Sequence, residues 1–229
     1  MSTNFADSGV YHYLLNGQAT EIREHWQRQR QPSGEWLVAS GRSAPGVNIE
    51  VEARVTGGLV TDFEVLWQAI DCHALRAQYT LQDNAVDVVR TEGAVTQHET
   101  ISVDSSEAAP LLSPLMRIYA GPLIARLLAM GGQGAVLLPF IGDPADEERL
   151  LRPQVSQRQA SVLEEDVELQ LGGADFRCRV CEYSGDQYAP GTRFWLAEDD
   201  LLVRYRWQQA QDQQWDVWLQ RSAPSTFPK

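Results

Sequence analysis

Residues 113–140, SPLMRIYAGPLIARLLAMGGQGAVLLPF, are apolar over most of their length and lie between two series of runs that alternate polar and apolar residues. Alternation of period two predicts half-buried strands, so the apolar segment must find its cover in sheet or in lipid. Ser113 before Pro114 reads as a helix start, with serine as N-cap and proline at the first helical position, and Gly131-Gly132 reads as a stop. The expectation is a helix over 114–130. Leu115, Met116, Ile118, Tyr119, Leu123, Ile124, Leu127 and Leu128 would cover most of its circumference, and a helix apolar nearly all round is buried. Gly121-Pro122 predicts a bend within it.

A membrane span needs about 20 consecutive apolar residues. Arg117 and Arg126 interrupt this run on opposite sides of the helix, and burying both in hydrocarbon is costly. No membrane span is therefore expected. The segment is read as a helix enclosed by sheet, with the two arginines reaching its edges.

From residue 10 to 103 the chain divides into about eight short runs. Among them VYHYLL is closed by Asn16-Gly17, a strong hairpin signal, and VNIEVEARV puts Val47, Ile49, Val51, Ala53 and Val55 on one face. AVLLPFI leads out of the apolar segment as a further strand, and five more runs follow to residue 221, turned at Gly172-Gly173, Pro190-Gly191 and Glu198-Asp199-Asp200. A dozen or more antiparallel strands do not stay flat and open. The fold class expected is mainly β: a large curved antiparallel sheet, a half-barrel or open barrel, wrapped round one central apolar helix. With no constant-period repeat and no Pro/Ser linker in 229 residues, one domain is expected, with strands over 10–103, the helix over 114–130 and strands over 135–221.

CEYSGDQYAPGTRFWLAEDDLLVRYRW, residues 181–207, has a Tyr- and Gly-rich hairpin before a Trp-bearing strand, an acidic turn and a basic-aromatic strand. This order resembles the closing strands of uncharacterised bacterial half-barrel families related to lipoprotein carriers and glycolipid-binding proteins. The resemblance implies an apolar helix held in the concavity of the sheet, a hydrophobic or amphipathic ligand and no catalytic residues. Those carriers are exported. The start MSTNFADSGVYHYLL has no basic region followed by an apolar run and a small-residue cleavage site, and three cysteines suggest no disulfide framework, so a cytoplasmic protein is expected.

Charge narrows the partners. With 31 acidic and 19 basic residues the net charge is −12, which repels phosphate backbones and argues against nucleic acid. Cys178 and Cys181 form a CxxC that Cys72-His73 could complete as a zinc site, but FRCRVCEYS alternates as a strand, which sends the two thiols to opposite faces. No metal or other cofactor is expected. MGGQGA follows a helix instead of opening one, so it is read as a cap and loop, not as a phosphate cradle.

Seven tryptophans, most of them in predicted strands, suit a concave amphiphile site with arginines at its edge. The leading reading is non-enzymatic binding of a lipid- or glycolipid-class molecule in the concave face, with Tyr119, Leu123, Arg126, Leu127, Trp67 and Trp195 as ligand-binding residues. A second reading is a small-molecule enzyme using Asp71, His73 and Glu182 at strand edges. A third is an interaction protein that presents its sheet edge or tryptophan face.

Overall fold

A computed structural model describes residues 6–70, 74–83, 85–102, 109–144, 146–185 and 188–222. The first series forms eight strands: β1 (Ala6–Leu15), β2 (Gln18–Arg30), β3 (Trp36–Ala44), β4 (Val47–Thr56), β5 (Leu59–Ala69), β6 (Leu75–Leu81), β7 (Ala85–Glu92) and β8 (Val95–Ser102). Each pairs antiparallel with the next. The expected Asn16-Gly17 turn has both residues at positive φ, 53° and 79°, as the right-handed twist of a tight hairpin requires.

After β9 (Leu111–Leu112) and α1 (Ala120–Ala129) come β10 (Gln133–Pro139), β11 (Pro153–Leu171), β12 (Ala174–Ser184), β13 (Arg193–Ala197), β14 (Leu202–Ala210) and β15 (Gln213–Arg221). They join the first series through β1 and β15, giving one 15-stranded sheet in the order β8-β7-β6-β5-β4-β3-β2-β1-β15-β14-β13-β12-β11-β10-β9. The sheet is not closed. It rolls until β9, at one edge, touches β5, and the stretch after β10 lies against β6 and β7. There Tyr79 donates to the carbonyl of Leu151 at 2.5 Å, and Arg90 Nε to that of Leu150 at 2.9 Å.

The apolar segment departs from the expected helix at its start. Leu111-Leu112 pairs parallel with Val136-Leu137, so the helix is the crossover that a parallel pair needs. A two-residue strand shows no periodicity in the sequence. Ser113 is not an N-cap: successive tight turns return the amides of Leu115 and Met116 to the carbonyls of Ser113 and Pro114 at 3.0 and 2.7 Å, with Leu115 at φ 62°. A single 3-10 turn, Arg117–Tyr119, then leads into α1.

Pro122 is thus the third residue of α1, where its missing N–H would have had no intrahelical partner. Gly121-Pro122 marks the start of the helix, not the expected bend. The stop is where expected: the Gly132 amide returns to the Leu127 carbonyl at 2.8 Å. Among the described residues no helix is long and apolar enough to cross a membrane.

The concave face carries the core. Tyr11, Tyr13, Glu24, Trp26, Val51 and Val65 are buried on the inner side of β1 to β5, and Met116, Ile118, Ile124 and Leu127 fill the space above them. Two inner tyrosines are pegged to distant backbone, Tyr11 to the Leu202 carbonyl at 2.8 Å and Tyr119 to the Val38 carbonyl at 3.0 Å. Satisfying a buried hydroxyl in this way removes the penalty of its desolvation and fixes the packing between strand and helix.

Candidate functional site

Tyr119, Leu123 and Arg126 follow the i, i+4, i+7 spacing of one helical face. That face meets the inner surface of β2 to β5 across a cavity of about 180 Å³. Val38, Val55, Leu59 and Leu112 form its apolar wall, and Arg28, Trp36, Arg126 and Asp199 stand around it. The Tyr119–Val38 hydrogen bond sets how closely the helix approaches β3, and so fixes the gap.

The charges at this rim differ in engagement. Arg28 reaches Asp7 at 2.9 Å and Asp199 at 2.6 Å, while its guanidinium lies 5.3 Å from the centre of the Trp36 ring. Asp7 is shared with Arg221 at 2.8 Å. Burial would raise the Asp199 carboxyl, but the hydrogen bond and charge of Arg28 outweigh it and hold that carboxyl below its ordinary value. Arg126 is exposed, and no carboxylate among the described residues pairs with it. It is a guanidinium at the mouth of an apolar void.

The other expected site residues lie elsewhere. Leu127 is fully buried and packs toward β10, where a side chain on Gly134 would meet its Cδ2. Trp67 lines a second cavity, of about 270 Å³, at the opposite ends of β2 to β4 from the first. Trp195 faces away from both, beneath the Arg204 guanidinium at 5.5 Å, across the ladder from Val180. The structure thus brings Tyr119, Leu123 and Arg126 together and separates them from Leu127, Trp67 and Trp195.

Arg117 does not reach the edge of the helix as expected. It turns inward, with Nη1 donating to the Tyr188 hydroxyl at 2.7 Å and its guanidinium 4.8 Å from the centre of the Tyr205 ring. Glu24 explains the turn: wholly buried, it accepts from the backbone N–H of Arg117 and from the Tyr13 hydroxyl at 2.8 Å. The signal was present in EIREHW, where alternation places Ile22, Glu24 and Trp26 on one inward face. A carboxylate in such a row needs buried donors.

Asp71, Cys72 and His73 lie outside the described residues. Glu182 is engaged in shaping the loop before β13, accepting the Gly191 N–H at 2.6 Å. Among the described residues no group of three or more His, Cys, Asp or Glu side chains could hold a metal ion.

Cys178 and Cys181 are buried and unbridged. They face opposite sides of the strand: Cys181 is across from Phe194, Cys178 from Ala197. Burial pushes both thiols up to about 11. Folded-state pKa values above the unfolded ones mean that their contribution to stability is complete below the unfolded value and is lost as pH rises toward about 11. A thiol reagent applied near pH 8 should leave both cysteines unlabelled until denaturant is added. Urea midpoints should fall between about pH 9 and 11, and labelling of either residue in the native protein would contradict this packing.

No family model matches the chain, and no curated protein matches it. Among solved structures it is similar to a beta-barrel-like protein of the domain of unknown function DUF1849 from Brucella abortus, at 10% identity over 94% of this chain and 96% of that one, with a TM-score of 0.52. A DUF1329 family protein from Desulfovibrio piger aligns at 11% identity over 100% of this chain and 88% of that one, with a TM-score of 0.25. The first likeness shows a barrel-like fold.

Proposed function

We propose that this protein is a non-enzymatic binder of a hydrophobic or amphipathic small molecule, of the lipid or glycolipid class, in the cavity between α1 and β2 to β5. The observation that carries this reading is the single helix face on which Tyr119, Leu123 and Arg126 meet an apolar void with an unpaired guanidinium at its mouth. Small-molecule sites combine apolar walls with a few polar groups in this way.

Size narrows the ligand. At about 180 Å³ the cavity is below the roughly 300–1,000 Å³ of sites that enclose a drug-sized molecule. It takes one tail or ring of an amphiphile and leaves the head group outside, beside Arg126. Arg28 is committed to both Asp199 and Asp7, so Arg28 and Asp199 serve as a rigid rim and not as a proton relay.

Native mass spectrometry of protein purified from its host without detergent should show a retained small molecule. Leu123→Trp should fill the void and abolish that retention. An indole with an empty cavity to enter should cost well under the roughly 1–3 kcal/mol of overpacking a filled core. A Leu123→Trp protein that keeps the same ligand, or wild type that carries none and takes up no fatty acid or detergent probe, would refute the reading.

A further inference from the structure

We infer that the protein has a second, independent ligand site at the opposite end of the same strands, built for a small monoanion with a flat apolar body, such as an arylalkyl or aromatic carboxylate. The cavity of about 270 Å³ there is the larger of the two, and Trp67, Trp207 and Trp215 stand along it with Tyr13 and Tyr205. Flat aromatic walls favour a flat partner. Trp215 is held in place from outside, its indole N–H donating to Gln209 Oε1 at 2.8 Å and its ring meeting Tyr13 edge-on at 6.5 Å.

Two donors on residues that line this cavity lack an acceptor. Arg117 Nε and Trp207 Nε1 are both shielded from solvent and have no hydrogen-bond partner. The acceptors nearby are already taken: Glu24 holds the Tyr13 hydroxyl and the Arg117 amide, and Gln209 holds Trp215. A buried donor without an acceptor costs free energy that an incoming oxygen would recover. A small rotation of either side chain toward the cavity would let an oxyanion there supply that oxygen.

Charge fixes the ligand further. Arg42 and Arg117 both line the cavity, and no carboxylate among the described residues is within ion-pair distance of either guanidinium. Glu24, buried behind Tyr13 and next to both arginines in the fold, contributes one negative charge. Two guanidinium charges against one carboxylate leave room for a single negative charge, which favours a carboxylate over a phosphate dianion. A cation is excluded by the same count, although the aromatic walls alone would accept one.

Calorimetric titration of the full-length protein with cinnamate and with cinnamyl alcohol tests the assignment. Cinnamate should bind more tightly than its neutral analogue by roughly tenfold or more, the scale of a hydrogen bond to a charged group. Arg117→Met should abolish that preference. Because Arg117 also supports Tyr188, Arg42→Gln at the rim provides a second variant, in which cinnamate affinity should fall several-fold and the alcohol's should not. Leu123→Trp, which fills the other cavity, should leave cinnamate binding unchanged, so failure here and failure of the amphiphile reading are told apart. Equal affinity for the two probes, no binding of either, indifference of cinnamate to Arg42→Gln in a folded protein, or loss of cinnamate binding in Leu123→Trp would each overturn the inference.

Discussion

Gly121→Ala is expected to destabilise the protein by about 3 kcal/mol, the upper end of what overpacking a core costs. Gly121 is the second residue of α1, and a Cβ built on it would fall on the carbonyl oxygen of Asp200 and 2.9 Å from the backbone nitrogen of Leu202. Both obstacles are main chain, one in the β13–β14 turn and one at the first residue of β14, so neither can rotate away. The sign is informative, because alanine in place of glycine at an open helical position stabilises by about 1 kcal/mol.

Gly41→Ala provides the comparison. The three atoms nearest to a Cβ there all belong to the His25 ring, the first at 2.6 Å, and a side chain can swing aside, so its cost should be distinctly smaller. Urea midpoints at unchanged m-value measure both. If Gly121→Ala were as mild as Gly41→Ala, α1 would not bear on the β13–β14 turn. The same close approach lies beside Tyr119, Pro122 and Leu123, which line the first cavity together with Asp200.

The strands other than β9 were legible because each has its own short-range signature. VNIEVEARV alternates cleanly, and in β4 its Ile49, Val51 and Ala53 are buried on one face while Glu50 and Glu52 are exposed. The need for a curved sheet follows from the number of such runs. The start of the helix was not legible, because Ser-Pro is also compatible with a sharp turn and the deciding interaction is made by Glu24, 93 residues earlier. No local window contains both partners.

The same limit applies to the site. Tyr119, Leu123 and Arg126 came together because helical spacing alone relates them. Trp195 shares a residue type and a strand setting with Trp67, Trp207 and Trp215 of the second cavity, but the face each occupies depends on register and bulges. The ladder is offset between Trp195 and Leu196, and β11 is offset twice between Val162 and Val167. A one-residue offset moves a side chain to the other face, so composition pointed to an aromatic interior without saying which rings line it.

Glu24→Ala should be the most damaging change on the strand side of the core, costing about 3–5 kcal/mol. Glu24 has no exposed surface and holds two donors, the Tyr13 hydroxyl and the Arg117 backbone N–H. Each donor left unsatisfied in the interior costs about 1–3 kcal/mol, and the deleted carboxyl-bearing side chain leaves a void besides. Glu24→Gln is the discriminating companion, because its single carbonyl oxygen can serve one of the two donors while its NH₂ group adds a donor of its own. It should fall between wild type and alanine. Chemical denaturation gives the order wild type, glutamine, alanine if hydrogen-bond acceptance is what matters at this position. Equal losses in the two variants would mean that the negative charge balancing the Arg117 and Arg42 guanidinium groups is the larger contribution, since both substitutions remove it and only alanine removes both acceptors. Either way the effect should reach past β2: Arg117 opens the 3-10 turn that leads into α1, so releasing its amide should loosen the apolar segment where it enters the sheet.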